Sequence, residues 1–397
     1  MALSDENQRQ TQLMSSRGIK YVSMHGPGGY AVAAKRYMLA LAKAGIKVSW
    51  TPMVAARSGP LGYAPSFESS SPDPELSQYC NAKFEYDTVV VHMVPEYYPL
   101  WRGLEPDKKI IGCTVWETDL IPKHWKDLLN ICDSLIVPCN WNREVFIKDG
   151  VTTPIAVIPH VALPTRKKDV QFWPNIGENE FVFYTINTWT IRKSIWLTIE
   201  AFLKAFTARD PVCLVIKSTI EDYTVPARRW RKLFGLTERP LVKKRLQKIL
   251  AGYENPAKII YIDEVLSDHQ IDKLHQRGNC YVSLCRSEGW GIGAFDACAY
   301  GSPVIITGFG GQVEYLPDEY ANLVRYKLVN VVDPIAPDSY REDSFWAEPD
   351  IPHAIEILRS TFENQKDAKE KALKLQSFVC REFSESKIGP LFSGLFG

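Results

Sequence analysis

Short runs of Val, Ile and other apolar residues recur along the chain, separated by stretches in which apolar positions return every three or four residues. That alternation is the signature of β-α-β units whose parallel strands are covered on both faces. In the first part of the chain it predicts strands at 19–24, 46–50, 88–93, 110–116, 134–138 and 155–159. The clearest helical pattern, AVAAKRYMLALAKA at 31–44, stops at Gly45, where a left-handed residue closes a helix without steric penalty. Residues 55–78, rich in Ser, Pro and Gly, read as a long loop.

The pattern is interrupted at ALPTRKKDVQFWPNIGENE, which has no period and mixes Pro, Gly and charge. It then restarts with the strands FVFYTIN, VCLVIKS, KIIYID, CYVSLC and PVIIT and the helices SIWLTIEAFLKAF and DHQIDKLHQRG. The expected class is therefore α/β, with two Rossmann-like doubly wound parallel-sheet domains facing across a cleft. The first spans 1–163, a linker 164–179, and the second 180–379. Ligands of such sheets bind beyond the carboxyl ends of the strands, so the loops there carry the chemistry.

Composition narrows the classes without choosing among them. The chain has 397 residues, of which 45% are hydrophobic and 23% charged, far from a disordered composition. A net charge of +1 gives no overall pull toward nucleic acid. Nine cysteines stand without a C-x-x-C pair or zinc spacing, and those in CYVSLC read as small core residues of a reducing compartment. The polar first 18 residues read as neither a signal peptide nor a leader, and no run approaches the 18 apolar residues of a spanning helix. A cytoplasmic placement follows as the expectation.

Two loops stand out. HGPGGYA (25–31) places Gly28 and Gly29 between the first strand and its helix, where backbone can approach an anion closely. The spacing is not G-x-G-x-x-G, and no acidic residue ends the second strand to hold a ribose, so a ligand loop and a tight structural turn are equal readings. CRSEGWGIGAFDACAYGSPVIITGFGGQVEYL (285–316) says more. Glu288, Gly289, Trp290, Gly291, Ile292 and Gly293 lead into a helix of small residues that can lie close to its sheet, with its first N–H groups offered to a diphosphate. Glu288 and Asp296, eight positions apart, suit the vicinal hydroxyls of a sugar and a ribose. Taken singly, each carboxylate also reads as a solvated loop charge or a helix-dipole residue.

Glu288, seven residues, Asp296, then GSPVII and GGQVE resembles the signature of glycosyltransferase family 4, retaining sugar-nucleotide transferases of the GT-B fold. Asp stands where that family has a second Glu. GGYAVAAKRYMLALAKAGIKV, IRKSIWLTIEAFLKAF, ETDLIPKHWKDLLNICDSLIVPCNWNREVF and VTTPIAVIPHVAL are similar to further family segments, and together they cover most of 19–317. The resemblance implies that Lys193 binds the nucleotide diphosphate. A family arginine six residues earlier is here Asn187, leaving Arg192 or the strand-end Lys217 to compensate. It further implies that Glu288 meets the transferred sugar, that the N–H groups from Gly291 to Ala294 meet sugar and phosphate oxygens, that Asp296 holds the ribose and that the base packs near Val265. Trp116 stands at about the place of a family histidine, with Glu117 beside it as a candidate partner of donor or acceptor hydroxyls. His25, His92, His124 and His160 remain as packing or capping residues before catalytic ones. The segment from about 380 to 397 is expected to cross back onto the first domain, as the last helix does in this fold.

The activity so implied is transfer of a sugar from a UDP-, GDP- or ADP-sugar to a hydroxyl of a glycan, lipid or protein acceptor. No cofactor is expected, and with no D-x-D triplet no metal either. PARRWRKLFGLTERPLVKKRLQKIL (226–250) reads as a basic surface helix pair, first a solvated insertion and otherwise a contact to anionic lipid at the membrane or to an acidic acceptor. Other classes are a nucleic-acid-binding protein using that insertion, and a sugar-nucleotide epimerase or phosphorylase of the same fold.

Overall fold

Strands buried on both faces leave the chain one economical arrangement, a parallel sheet between helices, and it forms twice. The computed structural model describes residues 18–54, 65–162, 176–234 and 236–396. The chain divides into two units, Met1–Trp116 with Leu120–Ala162 and Glu382–Gly397, and Leu163–Arg381 with Glu117–Asp119.

In the first unit β1 (Gly18–Met24), α1 (Gly29–Lys43), β2 (Val48–Val54), β3 (Ser66–Phe67), β4 (Tyr86–His92), α2 (Tyr98–Leu104), β5 (Lys109–Cys113), α3 (Trp125–Asn130), β6 (Ser134–Val137), α4 (Asn140–Lys148) and β7 (Ile155–Val157) follow in order. Its seven-stranded sheet runs β3-β2-β1-β4-β5-β6-β7, parallel except for β3. α1 ends where expected, with Gly45 at φ +85°. The second strand runs on to Val54 because Thr51 to Met53 stay paired with Val22 to Met24 of β1 and buried, although Thr and Pro read as a strand end. The strand expected at 110–116 stops at Cys113, and Trp116 turns its indole N–H onto the Leu120 carbonyl at 2.7 Å. Of the expected loop 55–78, residues 55–64 lie outside the described residues, and the rest carries β3 and a 3-10 turn at Pro74–Tyr79.

The second unit contains β8 (Phe181–Ile186), α5 (Ile195–Ala205), β9 (Val212–Lys217), α6 (Val242–Leu250), β10 (Lys258–Ile262), α7 (Asp268–Arg277), β11 (Cys280–Ser283), α8 (Ile292–Ala299), β12 (Val304–Thr307), β13 (Asn322–Val324), the hairpin β14 (Tyr326–Asn330) and β15 (Phe345–Pro349), α9 (Ile351–Glu363) and α10 (Gln365–Glu382). Its parallel sheet runs β10-β9-β8-β11-β12-β13. Strand order reverses between β8 and β11, so the crevice of a doubly wound sheet opens beyond the carboxyl ends of those two strands. Phe183, Phe202, Leu214 and Val282, all buried, fill the core between α5 and the sheet.

The basic stretch 226–250 is not a helix pair: a 3-10 turn at Arg229–Phe234 precedes the single helix α6. Within the expected linker 164–179, residues 164–175 lie outside the described residues. The final helix, α11 (Glu385–Leu391), groups with the first unit, where an added Cβ at Gly389 would stand 2.8 Å from the Ala40 carbonyl of α1.

Candidate active site

β8 and β11 end side by side at the reversal, and their following loops carry most of the charged candidates. From β8 the chain runs through Asn187 to Arg192, Lys193 and Ser194, and α5 begins at Ile195. Ser194 is buried and left-handed, φ +39° and ψ 44°, a conformation a serine rarely adopts. Its hydroxyl donates to the Leu284 carbonyl at 2.7 Å, just past β11. That bond ties the Arg192–Lys193 turn to the strand leading to Glu288.

Glu288 is buried and doubly paired. The Lys193 ammonium donates to Oε1, and Arg192 Nη1 lies 3.2 Å from Oε2. Burial opposes ionisation of this carboxyl, but the charges of Lys193 and Arg192 outweigh it and hold Glu288 below the usual carboxylate range. The Glu288 backbone is clasped from the other side: Gly311 N–H donates to its carbonyl at 2.8 Å, and Gly310 passes so close that an added Cβ would stand 2.6 Å from the same oxygen. The GG of GGQVE thus fixes the acid in place.

Arg192 is the hub. Its guanidinium also donates to the Ser287 carbonyl at 2.6 Å and the Tyr340 hydroxyl at 3.0 Å, and pairs with Glu117 at 3.0 Å. Burial works against the cation, while Glu117, Tyr340 and Glu288 keep it protonated. Glu117 belongs to the three residues that group with the second unit, where its carbonyl accepts from the Ser287 hydroxyl. Asp119 accepts from the Phe345 amide at 2.6 Å. Four candidates, Glu117, Arg192, Lys193 and Glu288, are therefore one network of two carboxylates and two cations. Ser287, Tyr340 and Ser194 were not foreseen. Tyr340 follows β14 by ten residues with no motif around it, and Ser194 directly follows Lys193 with no polar pattern of its own.

The helix mouth forms as the glycines suggested, with one correction. Gly291, at φ +79°, caps α8, and an added Cβ at Gly293 would stand 2.7 Å from the Tyr281 hydroxyl and 3.2 Å from the Ile186 carbonyl. Glycine here lets the helix seat against the ends of β8 and β11. The Ala294 amide, expected to meet a ligand, donates instead to the Gly291 carbonyl at 3.0 Å, because the turn tightens at its start. The amides of Ile292 and Gly293 precede the first intrahelical bond. The Trp290 ring is buried against Phe295 and Tyr315, with centroids 5.2 and 5.0 Å away. Gly289 next to it is buried, and so is Asp296 on α8.

Among the described residues, Asn187, Lys217 and Val265 make no hydrogen bond or ion pair with the charged network. Asn187 donates to Thr185 and Ser283 hydroxyls at 3.1 and 3.0 Å, spanning the two strand ends. Lys217 donates to the Ser218 carbonyl at 2.9 Å, and burial lowers its pKa, with Asp263 in partial opposition. Val265 is 80% exposed. In the first unit Gly28 caps α1 at φ −73° with nothing within 4 Å of an added Cβ, and Gly29 opens the helix. His92 and His160 are buried around Tyr37; Nδ1 of His92 meets the Tyr21 hydroxyl at 2.7 Å, and burial lowers its pKa to about 3. Trp116 packs edge to face on Trp125 at 4.6 Å.

Residues 167–326 match the family model described as Glycosyl transferases group 1. Three solved structures are similar over almost their whole length. The sucrose-phosphate synthase of Thermosynechococcus elongatus shares 14% identity, with 96% of this chain and 98% of that one covered and a TM-score of 0.66. Anabaena HepE, solved with UDP and glucose, shares 14%, with 96% and 99% covered and a TM-score of 0.60. WaaG, a glycosyltransferase involved in lipopolysaccharide biosynthesis, shares 14%, with 95% and 99% covered and a TM-score of 0.59. No curated protein matches the chain in sequence. The fold is GT-B, as the sequence led us to expect.

Proposed function

We propose that this chain, a glycosyltransferase of the GT-B fold, takes its sugar from a nucleoside-diphosphate sugar and passes it, with retention of anomeric configuration, to a hydroxyl of a glycan acceptor. The observation that carries the reading is the pairing of the buried Glu288 with the half-buried Lys193 at the strand-order reversal, Glu288 standing four residues ahead of the mouth of α8. Burying an ion pair costs desolvation that packing alone does not require, and such pairs gather where a ligand will use them.

In this mechanism the donor's phosphates replace Glu288 as the partner of the Lys193 ammonium, and the amides of Ile292 and Gly293 add two fixed donors at the positive end of α8. Glu288, still held by Arg192, turns its lone pairs to the hydroxyls of the sugar. The bond from the anomeric carbon to the β-phosphate oxygen breaks as the acceptor oxygen bonds to that carbon from the same face. The acceptor's proton passes to the departing phosphate oxygen, so no carboxylate is needed as nucleophile or base. The protein's task is to stabilise charge growing on the diphosphate, and loss of one such donor costs on the order of 10² to 10³ in turnover. Asp296 is assigned to the ribose, Val265 to the base and Glu117 to orienting Arg192. HepE, solved with UDP and glucose, supports UDP as the first nucleotide to try.

The test is a panel of UDP-, GDP- and ADP-sugars read by thermal shift, followed by NMR of the product's anomeric proton. Lys193→Ala and Glu288→Ala should lose transfer while melting as folded proteins. Near-normal turnover in both, or an inverted product, would overturn the assignment.

A further inference from the structure

The excursion between β9 and α6 has no part in the donor chemistry, and its residues are sorted in an unusual way. Its base is closed by backbone bonds, Val242 to Ile220 at 3.0 Å, Asp222 to Pro240 at 2.9 Å and Arg228 to Glu238 at 2.9 Å. The basic residues near that base are engaged: Arg245 pairs with Asp222 at 3.0 Å and lies over Trp196 at 4.8 Å, Lys243 pairs with Asp263 at 3.0 Å, and Arg239 reaches Glu221 at 3.7 Å. Farther out the balance changes. Arg228 and Arg229 are exposed and have no ion pair among the described residues, and on α6 the exposed Lys244 and Lys248 have none either. Between 226 and 250 there are nine basic residues against Glu238 alone, in a chain whose total charge is +1.

The 3-10 turn at the tip, Arg229–Phe234, adds apolar surface to that charge. Trp230, Phe234 and Leu236 are 51%, 72% and 49% exposed, three large apolar side chains within seven positions. Single exposed hydrophobes need no explanation, but a cluster bordered by unpaired cations does. The two rings meet edge to face at 6.1 Å with planes 83° apart. They form a wedge and not the parallel platform on which successive bases stack. A wedge of Trp, Phe and Leu next to the unpaired Arg228 and Arg229 matches an interface that is apolar inside and anionic at its surface.

We infer that this tip is a docking surface for an anionic lipid bilayer, with Trp230, Phe234 and Leu236 entering the headgroup boundary and Arg228 and Arg229 meeting lipid phosphates. No helix among the described residues is long and apolar enough to cross a membrane, so the contact is peripheral.

The test is flotation of the full-length protein with vesicles of phosphatidylcholine alone, or of phosphatidylcholine with about one-third phosphatidylglycerol, and no nucleotide sugar is needed. Binding should be confined to the anionic vesicles and weaken with salt. Each basic residue near the surface contributes roughly fivefold, so the double variant Arg228→Glu/Arg229→Glu should weaken binding by at least about 25-fold. The double variant Trp230→Ala/Phe234→Ala should cost roughly tenfold per ring, with both variants melting as the parent does. Equal binding to neutral vesicles overturns the inference, as does anionic binding that ignores loss of the rings. Retention on single-stranded polynucleotide tighter than on vesicles would give the surface to nucleic acid and equally overturn it.

Discussion

Gly310→Ala isolates the device that places Glu288. Gly310 has φ +87° and ψ −167°, a region that only glycine occupies readily, and a side chain held there costs about 1–3 kcal/mol. The new methyl would stand 2.6 Å from the Glu288 carbonyl oxygen, where ordinary contact begins near 3.4 Å, so one backbone must move by roughly 0.8 Å. Moving it lengthens the 2.8 Å bond from the Gly311 amide to that oxygen, worth about 1 kcal/mol. The sum, about 2–4 kcal/mol, corresponds to a fall of roughly 5–15 °C in melting temperature for a unit of this size. Because the displaced atoms belong to Glu288, turnover should fall further than stability, on the order of 10²-fold for a misplacement near 1 Å. Differential scanning fluorimetry and steady-state transfer kinetics measure the two effects. Gly103→Ala serves as control, since an added Cβ there, on α2 away from the candidate site, meets nothing within 4 Å. If Gly310→Ala melts and turns over like the parent, the clasp does not position the acid and the reasoning fails.

Tyr340→Phe removes the hydroxyl from Arg192 Nε and should cost about 1.5–3 kcal/mol, the range for a hydrogen bond to a charged group. Steady-state kinetics should register it mainly in donor KM, and an unchanged KM would make Tyr340 a bystander. Ser194→Ala keeps the left-handed strain and loses the bond to Leu284, whereas Ser194→Gly loses the bond but relieves the strain. Chemical denaturation should therefore rank Ser194→Gly above Ser194→Ala by about 1 kcal/mol. Acid should weaken the protein in two stages. His92, neutral in the fold with a pKa near 3, must compete with an unfolded form that protonates below about pH 6.5, so stability drains from there down toward pH 3. Glu288, with its pKa depressed in the fold, contributes fully above its unfolded value near pH 4.5 and is lost as pH falls below it. Melting curves of His92→Phe should shrink the first stage, which the buried His160, its pKa also lowered by burial, shares, and those of Glu288→Gln should shrink the second.

Periodicity alone laid out the doubly wound strands, because a strand buried on both faces must be written in continuous apolar residues and each helix must carry a stripe to cover it. The glycines of 289–293 were legible for a similar reason: a helix start that touches strand ends admits no Cβ, as the 2.7 Å approach of Gly293 to Tyr281 makes concrete. Nothing local marked the hairpin β14–β15, the helices α9 and α10, or the partnership of Tyr340 with Arg192 across 148 positions. Lys193 and Glu288, 95 positions apart, were singled out by resemblance, yet their pairing was invisible in the sequence. Charge pairing is a property of distance, and distance between remote residues is set only when the sheet brings its strand ends together. The sequence by itself determined the fold class and the residue types at the helix mouth. Tertiary structure decided which charges neutralise one another, that the Trp290 ring belongs to the core, and that the rings of Trp230 and Phe234 stay in solvent.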